Sequence, residues 1–172
     1  SPIMDEKLPS GISGVIFGGG YPELYLEELN KNIKMRSDVK MNIENGMPCL
    51  AECGGFMYLH KTVKDKENKS YEMVGIIEAE AFFVGKLIRF GYIELISGED
   101  CFLLKKGEKI KAHEFHYWDS SDNGNLFLAE KPTGNRAWEC VKSYKNVICG
   151  FPHIFYQDNV HFAENFVKRC EE

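Results

Sequence analysis

The sequence predicts an α/β fold: a doubly wound core with a mostly parallel central sheet and an antiparallel extension. Two observations predict the core and a third the extension. A short apolar run, Gly14-Val15-Ile16-Phe17, passes directly into Gly18-Gly19-Gly20 and a helix-forming stretch. Pro48-Cys49-Leu50-Ala51 does the same, turning into Gly54-Gly55-Phe56-Met57-Tyr58-Leu59. Strands buried on both faces read as such continuous apolar runs, and repeated strand–turn–helix units build a wound parallel sheet. Beyond Lys64–Lys69 the pattern changes to period-two alternation, which belongs to antiparallel strands.

In chain order, Val15 lies in the first strand and Pro22 starts the first helix, a position where its missing N–H costs nothing. Glu23 sits near that helix's positive end, and Leu26, Leu29 and Ile33 recur at helical spacing. A second helix is predicted from Met35 to Asn45, ending at Asn45-Gly46. Strands are predicted at Tyr71–Val74, Gly75–Phe83, Phe90–Ile96, Cys101–Leu104, Ile110–Trp118 and Asn125–Leu128, then a buried one at Val147–Gly150. The last helix, Asn159 to Cys170, puts Ala163, Phe166, Val167 and Cys170 on one face, with Asp158 and Asn159 as cap candidates. No linker or repeat divides residues 1–172, so a single domain is predicted. Ser1-Pro2-Ile3-Met4-Asp5 reads as a cut through a longer sequence.

Composition narrows the function. The 172 residues carry 26 acidic and 21 basic side chains, net −5, which is no footprint for nucleic acid. No apolar run is long enough to span a bilayer, so no membrane partner is expected. The six cysteines form no CxxC pair and no zinc spacing, so no metal site is predicted, and they read as reduced thiols of a cytoplasmic protein.

One of the six stands apart. In Ala51-Glu52-Cys53-Gly54-Gly55, small residues two before and two after Cys53 suit a nucleophile on a sharp strand-to-helix turn. A helix N-terminus there favours a thiolate, and the Gly54 N–H can form half of an oxyanion hole. The alternative is a buried cysteine in a glycine-rich turn. Gly19 and Gly20 end the neighbouring strand and could supply further N–H groups, or could merely make a turn of positive φ. No GxxxxGK[ST] is present, so the triple glycine is not a phosphate loop.

Five histidines compete for the role of base. His60 reads as a helix cap or surface residue and His161 as exposed. His113 and His116, in an aromatic-rich segment, could line a pocket or belong to the core. His153 follows the strand Val147–Gly150 and so lies at the sheet edge expected for Cys53, where a thiol needs a base to act near neutral pH.

Three motifs in order carry a resemblance that spans nearly the whole chain: Gly18-Gly19-Gly20-Tyr21-Pro22-Glu23, Ala51-Glu52-Cys53-Gly54-Gly55-Phe56-Met57-Tyr58-Leu59 and His113-Glu114-Phe115-His116-Tyr117. They resemble the C-terminal class I glutamine amidotransferase domain of cobyrinate a,c-diamide synthases, of the cobyric acid synthase-like type. Nickel-sirohydrochlorin a,c-diamide synthases have a similar domain. The resemblance implies a flavodoxin-like three-layer fold, Cys53 as nucleophile, His153 as its base, and Gly19, Gly20 and Gly54 at the oxyanion. Glu52, His113 and His116 would orient His153, shape the pocket or simply pack.

The resemblance further implies glutamine as substrate and no cofactor in this domain. ATP and Mg2+ would act on an N-terminal synthetase domain, which also holds most of the tetrapyrrole acceptor site and amidates its a- and c-carboxylates with ammonia from glutamine. Two departures stand out. Many class I amidotransferases carry Glu two residues after the histidine, where this chain has Phe155; and the family's usual His-x-His-Phe is here His153-Ile154-Phe155-Tyr156.

Overall fold

A computed structural model describes residues 1–172. In chain order the elements are β1 (Val15–Phe17), α1 (Leu26–Lys31), α2 (Ile33–Glu44), β2 (Cys49–Glu52), α3 (Gly54–Leu59), β3 (His60–Lys64), β4 (Ser70–Glu72) and β5 (Ile77–Phe83). They continue with β6 (Phe90–Ser97), β7 (Lys109–Phe115), β8 (Trp118–Ser120), β9 (Phe127–Glu130), β10 (Ala137–Cys140), β11 (Lys142–Tyr144), β12 (Val147–Gly150), β13 (His153–Ile154) and α4 (Val160–Glu171).

The central sheet has the order β1-β2-β12-β11. β2 runs parallel to β1 on one side and to β12 on the other, and β11 closes the edge antiparallel. Alternation along a strand assigns its two faces to different cores. Cys49 and Ala51 of β2 pack with Leu29, Val39 and Ile43 of α1 and α2 and with α3. Leu50 and Ile148 face the other way, against Phe162 and Phe166 of α4 and against the antiparallel sheet. Three layers result, with the central sheet in the middle.

The antiparallel extension is larger than the sequence suggests. One sheet has the order β10-β9-β6-β7-β13 and is antiparallel throughout. The other, β4-β3-β5-β8, is mixed, because β3 and β5 run parallel.

Several predicted details are corrected. Cys101–Leu104 is no strand but a turn whose Leu103 and Leu104 are buried in the core, an apolar run used for packing without a ladder. The stretch Ile110–Trp118 breaks after Phe115 into β7 and β8, which belong to different sheets. Pro22 opens a single 3-10 turn, Pro22–Leu24, ahead of α1, and Ile33 is exposed at the start of α2. On α4 the buried residues are Phe162 and Phe166, whereas Ala163 and Val167 face solvent. Asn159 holds the N-cap position of that helix as expected, but no side chain bonds its first turn: Asp158 accepts from the Lys111 N–H and Asn159 Nδ2 donates to the Lys109 carbonyl. No helix is long and apolar enough to cross a membrane.

Candidate active site

The sharp turn predicted at Cys53 is present. β2 ends at Glu52, α3 begins at Gly54, and Cys53 between them has φ 47° and ψ −103°. A non-glycine residue at positive φ is held there only by its surroundings and is a common mark of functional turns. Those surroundings are backbone. The Cys53 N–H donates to the Gly150 carbonyl at 2.8 Å, and Gly55 N–H to Gly18 at 3.2 Å. A Cβ on Gly55 would lie 2.2 Å from the Phe17 oxygen, and one on Gly54 would lie 2.6 Å from the Gly20 oxygen. Both glycines are therefore required by close approach. Gly18, Gly19 and Gly20 all have ordinary negative φ or extended backbone, so the triple glycine is not a positive-φ turn.

His153 reaches the same edge because β2 and β12 are adjacent and parallel, with Gly150 opposite Glu52. Pro152 then directs the chain into the two-residue strand β13, which pairs His153 with His113 of β7. Their rings stack at 4.9 Å. A Cβ on Gly19 would come within 2.4 Å of His153 Cε1, so the glycine loop lies directly on the imidazole. The loop thus touches both partners: Gly19 meets His153, and Gly20 meets the turn that carries Cys53. The sulfur and the imidazole make no direct hydrogen bond.

Protonation follows from burial. Cys53 is 8 % exposed. Burial pushes its thiol up to about 12, the acidic Glu23, Glu114 and Glu52 add to the rise, and only the Gly54 N–H opposes it. The thiolate expected at the helix N-terminus is therefore not the resting form: desolvation outweighs one N–H and a helix of six residues. His153 shifts in the opposite sense. Burial lowers its pKa, His113 and His116 lower it further, and Glu114 acts against them. Both shifts favour the neutral forms, and a neutral imidazole can accept a proton.

Glu52 lies beside this pair. Its Oε2 is 3.8 Å from His153 Nδ1. Its Oε1 accepts from the Tyr156 hydroxyl and, at 3.4 Å, from the Ile154 N–H. Burial raises its pKa, and those two donors act to lower it. Tyr156 is a site residue that sequence reasoning missed. Its signal was slight: a tyrosine three residues after His153, which β13 and the following turn fold back over Glu52.

The remaining histidines divide by burial. His116 is packed flat on Phe151 at 4.0 Å, with Nδ1 donating to the Trp118 carbonyl at 2.6 Å and Nε2 at 2.8 Å from buried Glu114. Both its nitrogens are committed, so its place is behind the site. Glu114 also accepts from Trp138 Nε1 at 3.1 Å and has Arg89 Nε at 3.7 Å, a buried network that sequence spacing did not reveal. His60 is the C-cap of α3, one of the two roles expected for it, but it is fully buried rather than at the surface. Its Nδ1–H donates to the Phe56 carbonyl and its Nε2 accepts from Ser120, each at 2.7 Å. His161 is exposed beside Glu164, as predicted.

Comparison with known proteins shows the fold and the family. Solved structures similar in fold include PurLQS from Thermotoga maritima, with a TM-score of 0.63 at 18% identity over 95% of this chain and 82% of that one. A glutamine amidotransferase from the same organism gives 0.54 at 15% identity over 92% and 64%. Curated relatives include the cobyrinate a,c-diamide synthases of Caldanaerobacter subterraneus, 40% identical over 99% of this chain and 38% of its own, and Picrophilus torridus, 35% identical over 99% and 36%. That of Clostridium tetani is 34% identical over 98% and 39%. The chain thus spans less than two fifths of the length of these relatives. The family model for the CobB/CobQ-like glutamine amidotransferase domain matches residues 1–160, and the chain belongs to that family.

Proposed function

We propose that this chain is the glutaminase part of a cobyrinate a,c-diamide synthase, acting in the cytoplasm. It hydrolyses glutamine and supplies the ammonia with which a synthetase part, using ATP and Mg2+, amidates the a- and c-carboxylates of cobyrinic acid. The observation that carries the reading is Cys53 at positive φ between β2 and α3, braced by glycine backbone that also touches His153. The names and the length of the relatives support the synthase context.

In the proposed reaction His153 takes the Cys53 proton as the sulfur attacks the glutamine side-chain carbonyl carbon. N–H groups of the Gly19–Gly20 loop and of Gly54 stabilise the tetrahedral oxyanion, each donor contributing roughly 3–4 kcal/mol in comparable sites. The imidazolium then returns its proton to the leaving nitrogen as the C–N bond breaks. Ammonia departs and a thioester remains, which water activated by His153 hydrolyses to glutamate. The burial of Cys53 and its lack of a hydrogen bond to His153 point to a resting state that glutamine and the synthetase part must open.

The test is Cys53→Ser and His153→Ala in the full-length polypeptide that carries these residues. Glutamine-dependent amidation should vanish while ammonia-dependent amidation persists. Loss of both, or glutamine-dependent turnover surviving in Cys53→Ser, contradicts the proposal.

A further inference from the structure

Residues directly opposite each other on neighbouring antiparallel strands share a face of the sheet. Across β6, β7 and β13 this places Phe90 beside Phe115, and Tyr92, His113 and His153 in one row. The alternate positions Ile93, Leu95, Ile110 and Ala112 are buried in the core, so the rows point outward. Phe90 is 57 % exposed, Tyr92 79 %, Phe115 48 %, and Tyr117 just beyond the strand 41 %. Phe90 meets Phe115 edge-on at 5.6 Å, and Phe115 meets Tyr117 at 6.0 Å.

The same face ends differently. Further along β6 and β7 it carries Glu94 and Lys109, paired at 2.6 Å, and Lys111, paired with Asp158 at 2.6 Å. One face of one sheet is therefore solvated by charge at one end and clad in exposed aromatic rings at the other. The inward positions, Gly91 and buried Glu114 beneath the aromatic end and Leu95 and Ile110 beneath the charged end, belong to the opposite face and do not account for exposed rings on this one. Enrichment in aromatics with depletion of Lys and Glu is the composition of the buried centre of an interface.

We infer that this aromatic end is where the remainder of the synthase packs, over the row that leads from Tyr92 through His113 to His153. The inference rests on the proposed function in that it takes the chain to be one part of a longer synthase. The occupant follows from length: the chain covers 38% and 36% of two relatives, so most of such a polypeptide lies outside these residues. A partner on the same polypeptide is presented at roughly millimolar effective concentration, so a patch of four rings suffices where a free partner would need more. Packing there also covers the part-exposed His153 ring, keeping water from the ammonia released at it.

The test is photo-crosslinking in the full-length polypeptide. p-Benzoylphenylalanine replaces Tyr92 in one variant and Lys111, on the same face but in its charged half, in another. Crosslinked peptides are then mapped by mass spectrometry. The expected result is that position 92 joins to peptides outside residues 1–172 of its own chain, independent of protein concentration, and at least about tenfold more than position 111. Crosslinks confined to residues 1–172, a yield that rises with concentration through a second copy, or equal yields at the two positions overturn the inference. Crosslinking reads packing without turnover. A Cys53→Ser variant that still uses glutamine would therefore sink the proposed chemistry while leaving this result standing, and the reverse also holds.

Discussion

The Glu52 carboxylate lies 3.8 Å from Nδ1 of His153, although Glu52 immediately precedes Cys53 in sequence and His153 arrives from the far end of the chain. In this structure Glu52 is held by Tyr156 and the Ile154 N–H on the Nδ1 side of the ring. Phe155, two residues after His153, is exposed. A carboxylate beside the ring favours the imidazolium that forms during proton transfer.

Glu52→Gln should therefore lower glutamine-dependent kcat on the order of tenfold. It should also move the acid limb of kcat/KM to lower pH, because loss of a negative neighbour makes His153 harder to protonate. Tyr156→Phe should do the same to a smaller degree by releasing Glu52. A uniform drop in rate with an unmoved acid limb would assign Glu52 a packing role only.

Glycine substitutions should separate chemistry from folding. Gly19→Ala brings a Cβ 2.4 Å from His153 Cε1, a side-chain atom that can move. It should cost about 100-fold in glutamine-dependent turnover by displacing the ring, with stability changed by less than about 1 kcal/mol. Gly55→Ala brings a Cβ 2.2 Å from the Phe17 carbonyl oxygen, which is backbone. It should destabilise the protein by about 2–4 kcal/mol. Urea midpoints and steady-state rates on both variants check the contrast; equal stability losses contradict it.

Thiol reactivity should depend on the shape of the reagent. Cys53 is buried with its pKa pushed up to about 12, whereas Cys101 and Cys170 are only half-buried. A small neutral alkylating agent should modify Cys170 or Cys101 before Cys53. A glutamine-analogue electrophile, which brings its reactive carbon into the site, should reverse that order. Peptide mapping after brief exposure reads both, and an unchanged order with the analogue argues against a glutamine site at Cys53.

His60 should make the fold acid-sensitive. Burial lowers its pKa from 6.5 to about 4. A folded-state pKa below the unfolded value means that the contribution to stability is complete above about pH 6.5 and is lost as pH falls towards 4. The shift corresponds to at most about 3 kcal/mol. Relative to the wild type, His60→Gln should be less stable at pH 7.5 but should lose less stability between pH 6.5 and 4. Parallel pH profiles of the two urea midpoints would rule this out.

The parallel core was legible because its signals are local. An apolar run closed by glycine reads as a buried strand wherever it lies, and this located β1, β2 and β12. Ala51 and Gly55 around Cys53 announced the turn whose φ of 47° the structure shows. Asn45-Gly46 ended α2 where expected. Local signals failed where tertiary packing overrides them. Leu103 and Leu104 are apolar because they fill the core, not because they pair in a ladder. His60 is legible as the cap of α3, but its burial is not, because Ser120, sixty residues on, meets its second nitrogen.

The sequence by itself determined the order of the core elements, the nucleophile candidate and the glycines that must lie against it, since these depend on residue type and short spacing. Tertiary structure alone decided which histidine meets the glycine loop, which acid stands behind that histidine, and that the thiol rests protonated. Those outcomes depend on strand order and on exclusion of water, which bring Glu52, His153 and Tyr156 together across about a hundred residues of chain.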